Sequence, residues 1–342
     1  MTAVAPHLTA RLINGLLAIQ PLASFAKAKA RKMMIDRAES IGVFWRDEVK
    51  ALRRRADVAS LAENPPAELA TAWETDLAAM QNPDLVYPDY YVTSFHAYAE
   101  GNLGWTPAME VEVAARAVHA RIWPEGGAQG DAWLRQSYHT VLTQHLPAVP
   151  QDVVDLGCGV GMSTFALQAT FPQAQLTGID LSPYFLAVAQ YRDRQRLEQT
   201  GRGEPETGSG AKTAPLPPTL PHPITWLHAP AESTSLPSAS FDLVSTCLMF
   251  HELPQSAAIA IIQEARRLLR PGGHLAIMDM NPHSEVFAKM PPFVLTLLKS
   301  TEPYLDQYFG LEISQAMQAA GFQPPMQVQN SPRHRTLMAQ VA

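Results

Sequence analysis

Along the first third of the chain, apolar positions recur at helical spacing. Leu8, Leu12, Leu16 and Ile19 form one stripe, widened by Ile13 and Leu17, which predicts an amphipathic helix. Pro21 interrupts it, and a second helical stretch runs through basic residues to about Arg55. Asn64-Pro65-Pro66, Asn82-Pro83 and Tyr87-Pro88 mark breaks. Residues 107–123 and 131–146 predict two further helices, the second with Asp131 as N-cap after the glycine-rich turn 125–130. From residue 150 the period changes. Short apolar runs at 153–157, 176–180, 224–229, 241–250 and 275–280 alternate with helical stretches. Such alternation predicts an α/β fold with a largely parallel sheet covered on both faces. Residues 192–223 are polar and rich in Gly and Pro, which predicts a helix end followed by a flexible surface insertion. Two short candidate strands, 326–329 and 334–341, flank an Asn330-Ser331-Pro332 turn. The predicted organisation is a helical region over 1–149 and an α/β domain over 150–342.

The hydrophobic content of 46% over 342 residues supports a substantial buried core. A net charge of −6 argues against a general nucleic-acid binder. The charge is uneven, however: residues 1–60 carry 11 Lys and Arg against five acids, a local +6 that leaves −12 for the remainder. Cys158 and Cys247 lie in apolar segments and share no metal-ligand or disulfide spacing, so no metal site is predicted and a reducing compartment is the simple expectation. No run of 18 apolar residues occurs, and the N-terminus lacks the features of a secretory or transit signal. The expectation is a cytoplasmic protein.

The strongest chemical signal is Val153-Val154-Asp155-Leu156-Gly157-Cys158-Gly159-Val160-Gly161, an apolar strand running into a glycine turn and then a helix. Glycines serve where a ligand must approach the backbone closely and where φ is positive. A dinucleotide fingerprint would need G-x-G-x-x-G, but the third glycine would fall at Met162 or at Thr164, depending on the frame. A nicotinamide oxidoreductase is thereby disfavoured. The order acid-x-G-x-G-x-G resembles motif I of the class I S-adenosylmethionine-dependent methyltransferases. The resemblance implies that Asp155, Gly157, Cys158, Gly159 and Gly161 wrap the amino-acid and ribose portions of that cofactor.

Further segments match the same family in order. The second strand ends at Asp180-Leu181, 21 residues past Gly159, where a carboxylate can accept hydrogen bonds from both ribose hydroxyls. Residues 228–237 resemble the family's adenine-contact loop, but Pro230 replaces its usual acid. The adenine amino group is then left to Glu232 or a backbone carbonyl, with the Ala231 amide on the ring. The fourth strand ends near Cys247, and in this fold that end faces cofactor and substrate together. His251 follows as the best-placed titratable group, either a general base or a hydrogen-bonded structural histidine. The motifs of amine methylation and of metal-dependent O-methylation are both missing. Pro271-Gly272-Gly273 resembles the turn before the fifth strand, and the two terminal strands match the family's antiparallel edge hairpin.

The resemblance is nearest to the small-molecule enzymes that include ubiquinone and menaquinone methyltransferases. Residues 12–43 and 95–105 also resemble a cyanobacterial and plastid methyltransferase-like group. It implies a Rossmann-like, seven-stranded sheet under a helical N-terminal cap. The implied reaction is methyl transfer to an oxygen or carbon of a small, hydrophobic or aromatic molecule, and a binding protein without turnover is the alternative. The aromatic patch 87–98, with Tyr90, Tyr91 and His96, predicts a substrate wall or core between cap and sheet. Residues 1–60 fit either a helical lid packed on the acidic remainder or a peripheral contact with an anionic membrane surface, with packing favoured.

Overall fold

Strands buried on both faces are the mark of a covered parallel sheet, and β1 (Asp152–Leu156) has Val153, Val154, Asp155 and Leu156 all buried. The computed structural model describes residues 20–55, 69–96, 98–201 and 222–342. The remaining strands are β2 (Gln175–Asp180), β3 (Thr225–His228), β4 (Phe241–Cys247), β5 (Leu269–Met280), β6 (Met326–Ser331) and β7 (His334–Gln340). They form one seven-stranded sheet in the order β3-β2-β1-β4-β5-β7-β6. The pairs from β3 through β5 are parallel, and β7 runs antiparallel to both β5 and β6. The sheet and its C-terminal hairpin are those the apolar runs predict. Leu156 pairs with Ile179 on one side and Thr246 on the other, so β1, β2 and β4 end level. Strand order reverses at β1, and ligands in such sheets sit beyond the carboxyl ends at this switch point.

Helices preceding the sheet are α1 (Gln20–Ser40), α2 (Trp45–Arg54), α3 (Ala72–Met80), α4 (Trp105–His119) and α5 (Gly130–His145). Crossover helices are α6 (Met162–Thr170), α7 (Pro183–Gly201) and α8 (Gln255–Leu268). Four short helices follow β5: α9 (Glu285–Ala288), α10 (Pro292–Thr301), α11 (Leu305–Phe309) and α12 (Ile313–Ala319). The alternation of Ala257, Ala258, Ile261, Ile262, Ala265 and Leu268 buries one face of α8 against the sheet.

Several boundaries differ from the sequence expectations. The second helical stretch is two helices, parted at Gly42 with φ +83°. The apolar run 241–250 leaves the sheet after Cys247, with Leu248 at φ +59°, and enters a 3₁₀ turn at Phe250–Glu252. Asp131 is not the cap of α5. Gln129 holds that position, and Asp131 lies inside the first turn, bonded to His119 Nδ1 at 2.7 Å and to Arg135. A buried ion-pair partner outcompetes the capping geometry there. Helix α5 lies on the sheet itself: Leu134, Tyr138 and Leu142 share a core with Leu167, Leu243 and Ala276, and Tyr138 Oη bonds Ser245 Oγ at 2.9 Å. The stripe 8–19 and most of the 192–223 insertion fall outside the described residues, though α7 takes in 192–201.

The described N-terminal helices are docked. Ile35, Ala38, Val43, Trp45, Val113 and Ala117 form one apolar cluster joining α1, α2 and α4. Trp73, Met109, Val160, Phe185 and Val188 form a second, which joins α3 and α4 to the glycine turn and α7. Ion pairs Arg31–Glu110, Arg116–Glu48 and Arg192–Glu112 cross the same seams. Among the described residues no helix is long and apolar enough to cross a membrane. Trp45 is 2% exposed at the first seam. Trp45→Ala is expected to lower stability by about 3–5 kcal/mol, the cost of an aromatic cavity, in urea unfolding. A loss under about 1 kcal/mol would mean that these helices rest loosely on the rest of the chain.

Candidate active site

Between β1 and α6 the chain turns through residues 157–161. The Gly157 and Cys158 amides both donate to the Ile179 carbonyl, at 2.8 and 2.9 Å, which ties the turn to the end of β2. At Gly157 φ is +70°, and a Cβ would fall 2.2 Å from the Met249 sulfur. At Gly159 φ is +55°, yet a Cβ would meet only Phe185, at 4.0 Å. The first glycine is therefore demanded by packing, whereas the second leaves open space over the turn. Asp155, 1% exposed, accepts from Ser163 Oγ and Thr164 Oγ1 through Oδ2, each at 2.7 Å. Among the described residues its Oδ1 has no hydrogen-bond partner within normal geometry, and burial raises its pKa.

Asp180 closes β2. Its Oδ2 accepts from the Gly159 amide and its Oδ1 from the Ser182 amide, both at 2.8 Å, while Tyr91 Oη donates to Oδ1 at 3.4 Å. Burial pushes the carboxyl up to about 6 despite these donors. Beyond β3, Tyr90 Oη donates to Glu232 Oε1 at 2.8 Å, and Glu232 Oε2 is buried with no partner among the described residues. Asp180 and Glu232 are thus both reached by the aromatic patch. Of the smaller residues predicted for the site, Leu181 and Ala231 are buried alongside them, and Cys158 lies under Gly178.

His228 adds an anchor that sequence reasoning missed. Its Nδ1 accepts from the Asn82 amide at 2.8 Å, so its Nε2 carries the proton and donates to the Leu181 carbonyl at 3.0 Å. Burial lowers its pKa, in keeping with this neutral form. The segment beginning at Asn82 is thereby pinned over the end of β3. Arg135 was also missed. Held by Asp131, its guanidinium reaches Cys247 Sγ and Met162 Sδ, each at 3.7 Å, beneath the glycine turn. It borders a cavity of ≈310 Å³ that Asp131, Val160 and Met162 also line. Burial pushes the Cys247 thiol up to about 12, so it stays protonated. The signal for Arg135 was its position on the inward face of α5, four residues past Asp131.

At the end of β4, His251 Nδ1 bonds Asp279 Oδ1 at 2.8 Å. Burial pulls the imidazole pKa down, but the charges of Asp279, Glu252 and Glu302 prevail and push it up to about 10. An imidazolium cannot take a proton from a substrate, so the general-base role considered for His251 requires that it first lose its proton. His96 faces a different pair of acids from Tyr90 and Tyr91. Its Nε2 lies 3.1 Å from Glu302 Oε1 and 3.7 Å from Glu252 Oε1, and burial raises Glu252 to about 7. The sequence predicted no metal site, yet the fold gathers His96, His251 and Glu302 into one cluster.

Residues 154–277 match a family model described as a methyltransferase domain. A malonyl-[acyl-carrier protein] O-methyltransferase of Hahella chejuensis is 32% identical over 37% of this chain and 35% of its own length. A trans-aconitate 2-methyltransferase of Azoarcus sp. is 34% identical over 41% of this chain and 45% of its own. An uncharacterized methyltransferase of Synechocystis sp. is 26% identical over 55% of this chain and 74% of its own. The chain thus spans less than half of the first two relatives. Residues 154–277 are thus matched as a methyltransferase domain, and the sheet order and glycine turn agree with the class I methyltransferases, whose cofactor is S-adenosylmethionine.

The Asp180 pKa has a consequence for stability. Its folded value of about 6 exceeds the unfolded value near 3.9, so its contribution is full below the unfolded value and is lost as pH rises through 6. In the ligand-free protein the Asp180 carboxyl carbon is expected to titrate near 6 by ¹³C NMR. A midpoint near 4 would show the group to be solvated.

Proposed function

We propose that the chain transfers the methyl group of S-adenosylmethionine to an oxygen or carbon of a small molecule. The observation that carries this reading is the placement of Asp180 and Glu232 at the adjacent ends of β2 and β3, beside a glycine turn with open space above Gly159. The residues fit the cofactor group by group. Asp180 takes the ribose hydroxyls. The unpartnered Glu232 Oε2 accepts from the adenine amino group, which answers the loss of an acid at Pro230. The unpartnered Asp155 Oδ1 serves the cationic amino end, and the Arg135 guanidinium serves the carboxylate. When bound, the cofactor supplies a methyl group on a sulfonium whose leaving group is already a good one.

What this chain must add is alignment and exclusion of water. Tyr90 and Tyr91 lie over the two acids and shield the nucleoside side, a role different from the acceptor wall expected of them. His251, oriented by Asp279, and His96 stand at the end of β4, where the acceptor would lie. Two of the relatives are named for malonyl-carrier and trans-aconitate methylation, which supports a small acceptor or one presented on a carrier.

Calorimetry should show binding of S-adenosylmethionine and S-adenosylhomocysteine. Asp180→Ala should weaken both by about 1.5–3 kcal/mol, the worth of hydrogen bonds to a charged group. Gly159→Val should abolish both, because its side chain would fill the open space. Equal affinity of wild type and Asp180→Ala would remove the ribose assignment. Incubation with methyl-labelled cofactor and a soluble extract, followed by separation into small-molecule and protein fractions, should yield a labelled small molecule, free or carried on a protein. Intact cofactor binding without any labelled product would leave a binding protein.

A further inference from the structure

The His96, His251 and Glu302 cluster is built from parts of the chain far apart in sequence. His96 comes from the loop after Tyr91, His251 from the turn after β4, and Glu302 from the end of α10. One donor atom from each lies within 4.8 Å of the other two. Two imidazoles and a carboxylate are donors that suit divalent transition metals. With metal–nitrogen and metal–oxygen distances of about 2.0–2.2 Å, tetrahedral donors stand roughly 3.3 Å apart. The His96–Glu302 contact of 3.1 Å already meets that spacing, and the other donors need movements on the order of 1 Å.

Three independent features point to a cation. Asp279, 2% exposed, holds His251 Nδ1 and leaves Nε2 to coordinate once a metal ion displaces its proton, the carboxylate–histidine arrangement found behind metal ligands. Asp279 is itself fixed by the Met280 amide at 2.7 Å. Glu302 is 5% exposed, and among the described residues its buried Oε2 has no hydrogen-bond donor, a costly state that a bound cation relieves. His96 is held at φ +51°, uncommon for a non-glycine residue, by donation from its amide to the Thr301 carbonyl, next to Glu302. Its side chain remains 37% exposed, which leaves an entry path.

We propose that His96, His251 and Glu302 bind a divalent transition-metal ion of the zinc type, with Asp279 as a positioning residue behind His251. Three protein ligands leave one position for water or an oxygen of the acceptor. Only the assignment of that position to an acceptor rests on the methyltransferase reading; the metal site does not.

The test uses the untagged full chain, stripped with a chelator and desalted, then titrated with Co²⁺ and followed by visible absorption. One Co²⁺ per chain is expected, with a d–d band that Zn²⁺ abolishes by displacement. His96→Ala and Glu302→Gln should each lose the band and bind at least tenfold more weakly, and Asp279→Asn should weaken binding about 10–100-fold. His96 is on a partly exposed loop, so His96→Ala should keep the wild-type melting temperature if Glu302→Gln does not. Absence of stoichiometric binding of both metals by the wild type would overturn the proposal, as would binding that His96→Ala and Glu302→Gln leave unchanged. The cluster would then be a hydrogen-bonded His–Glu pair. S-adenosylhomocysteine affinity, measured on the same stripped protein, separates the two readings: if it survives while metal binding is absent, only the metal site falls.

Discussion

The Asp180 carboxylate joins three parts of the protein that otherwise have little in common. Buried at the end of β2, it can be ionised only if donors surround it, and the nearest donors are backbone amides of two different loops. The Gly159 amide fixes the glycine turn, the Ser182 amide fixes the start of α7, and the Tyr91 hydroxyl brings in the N-terminal region. With the Gly157 and Cys158 amides on Ile179, the turn becomes an extension of the β1–β2 pairing. Burial still outweighs these bonds, because the pKa stays raised. The free site is therefore short of donors, and a vicinal diol would supply them.

The N-terminal region is held in register on the same feature. His228, fixed as one tautomer between the Asn82 amide and the Leu181 carbonyl, aligns the chain leading to Tyr87, Tyr90 and Tyr91. Farther along, Arg31 of α1 pairs with Glu110 of α4, and Tyr98 donates to the same carboxylate at 2.7 Å. Tyr98 in turn bridges Phe95, which sets the loop that carries His96. A contact on α1 is thus connected, through four named residues, to the end of β4. The cap thus places side chains beside Asp180 and Glu232 at the ends of β2 and β3 and beside His251 at the end of β4.

Much of this was legible in the sequence because it is local. Continuous apolar runs marked the strands and the 3.6 period the helices, and the acid-x-G-x-G-x-G order with Asp180 21 residues on marked the turn and the strand end that Asp180 joins. What was not legible depends on distant partners. Asp131 had the right residue type and flanks for an N-cap, but His119 and Arg135 take its oxygens. His251 was singled out by its place after β4, whereas its charge state is set by Asp279, 28 residues later. His96 and His251 were both noticed, yet as members of separate sites. Only the path of α10, which delivers Glu302, brings them together. No spacing rule covers a ligand set spread over some 200 residues of chain.

The placement of charge ties these observations into one account. Asp155, Asp180 and Glu252 lie around the ends of β1, β2 and β4, and burial raises the pKa of each. A carboxyl with a raised pKa lacks enough positive charge or donors nearby, and it relaxes by binding a proton or a cation. The cations that face this group are Arg135, from below the turn, and the two histidines beside Glu252 and Glu302. Arg135 is itself committed to Asp131, so it serves two acids at once. An edge with unsatisfied Asp155 Oδ1, Glu232 Oε2 and Glu302 Oε2 is thus complementary to ligands that bring positive charge and hydrogen-bond donors. A dinucleotide pyrophosphate would bring the opposite charge. The electrostatics thereby reach, by a separate route, the same exclusion as the glycine spacing.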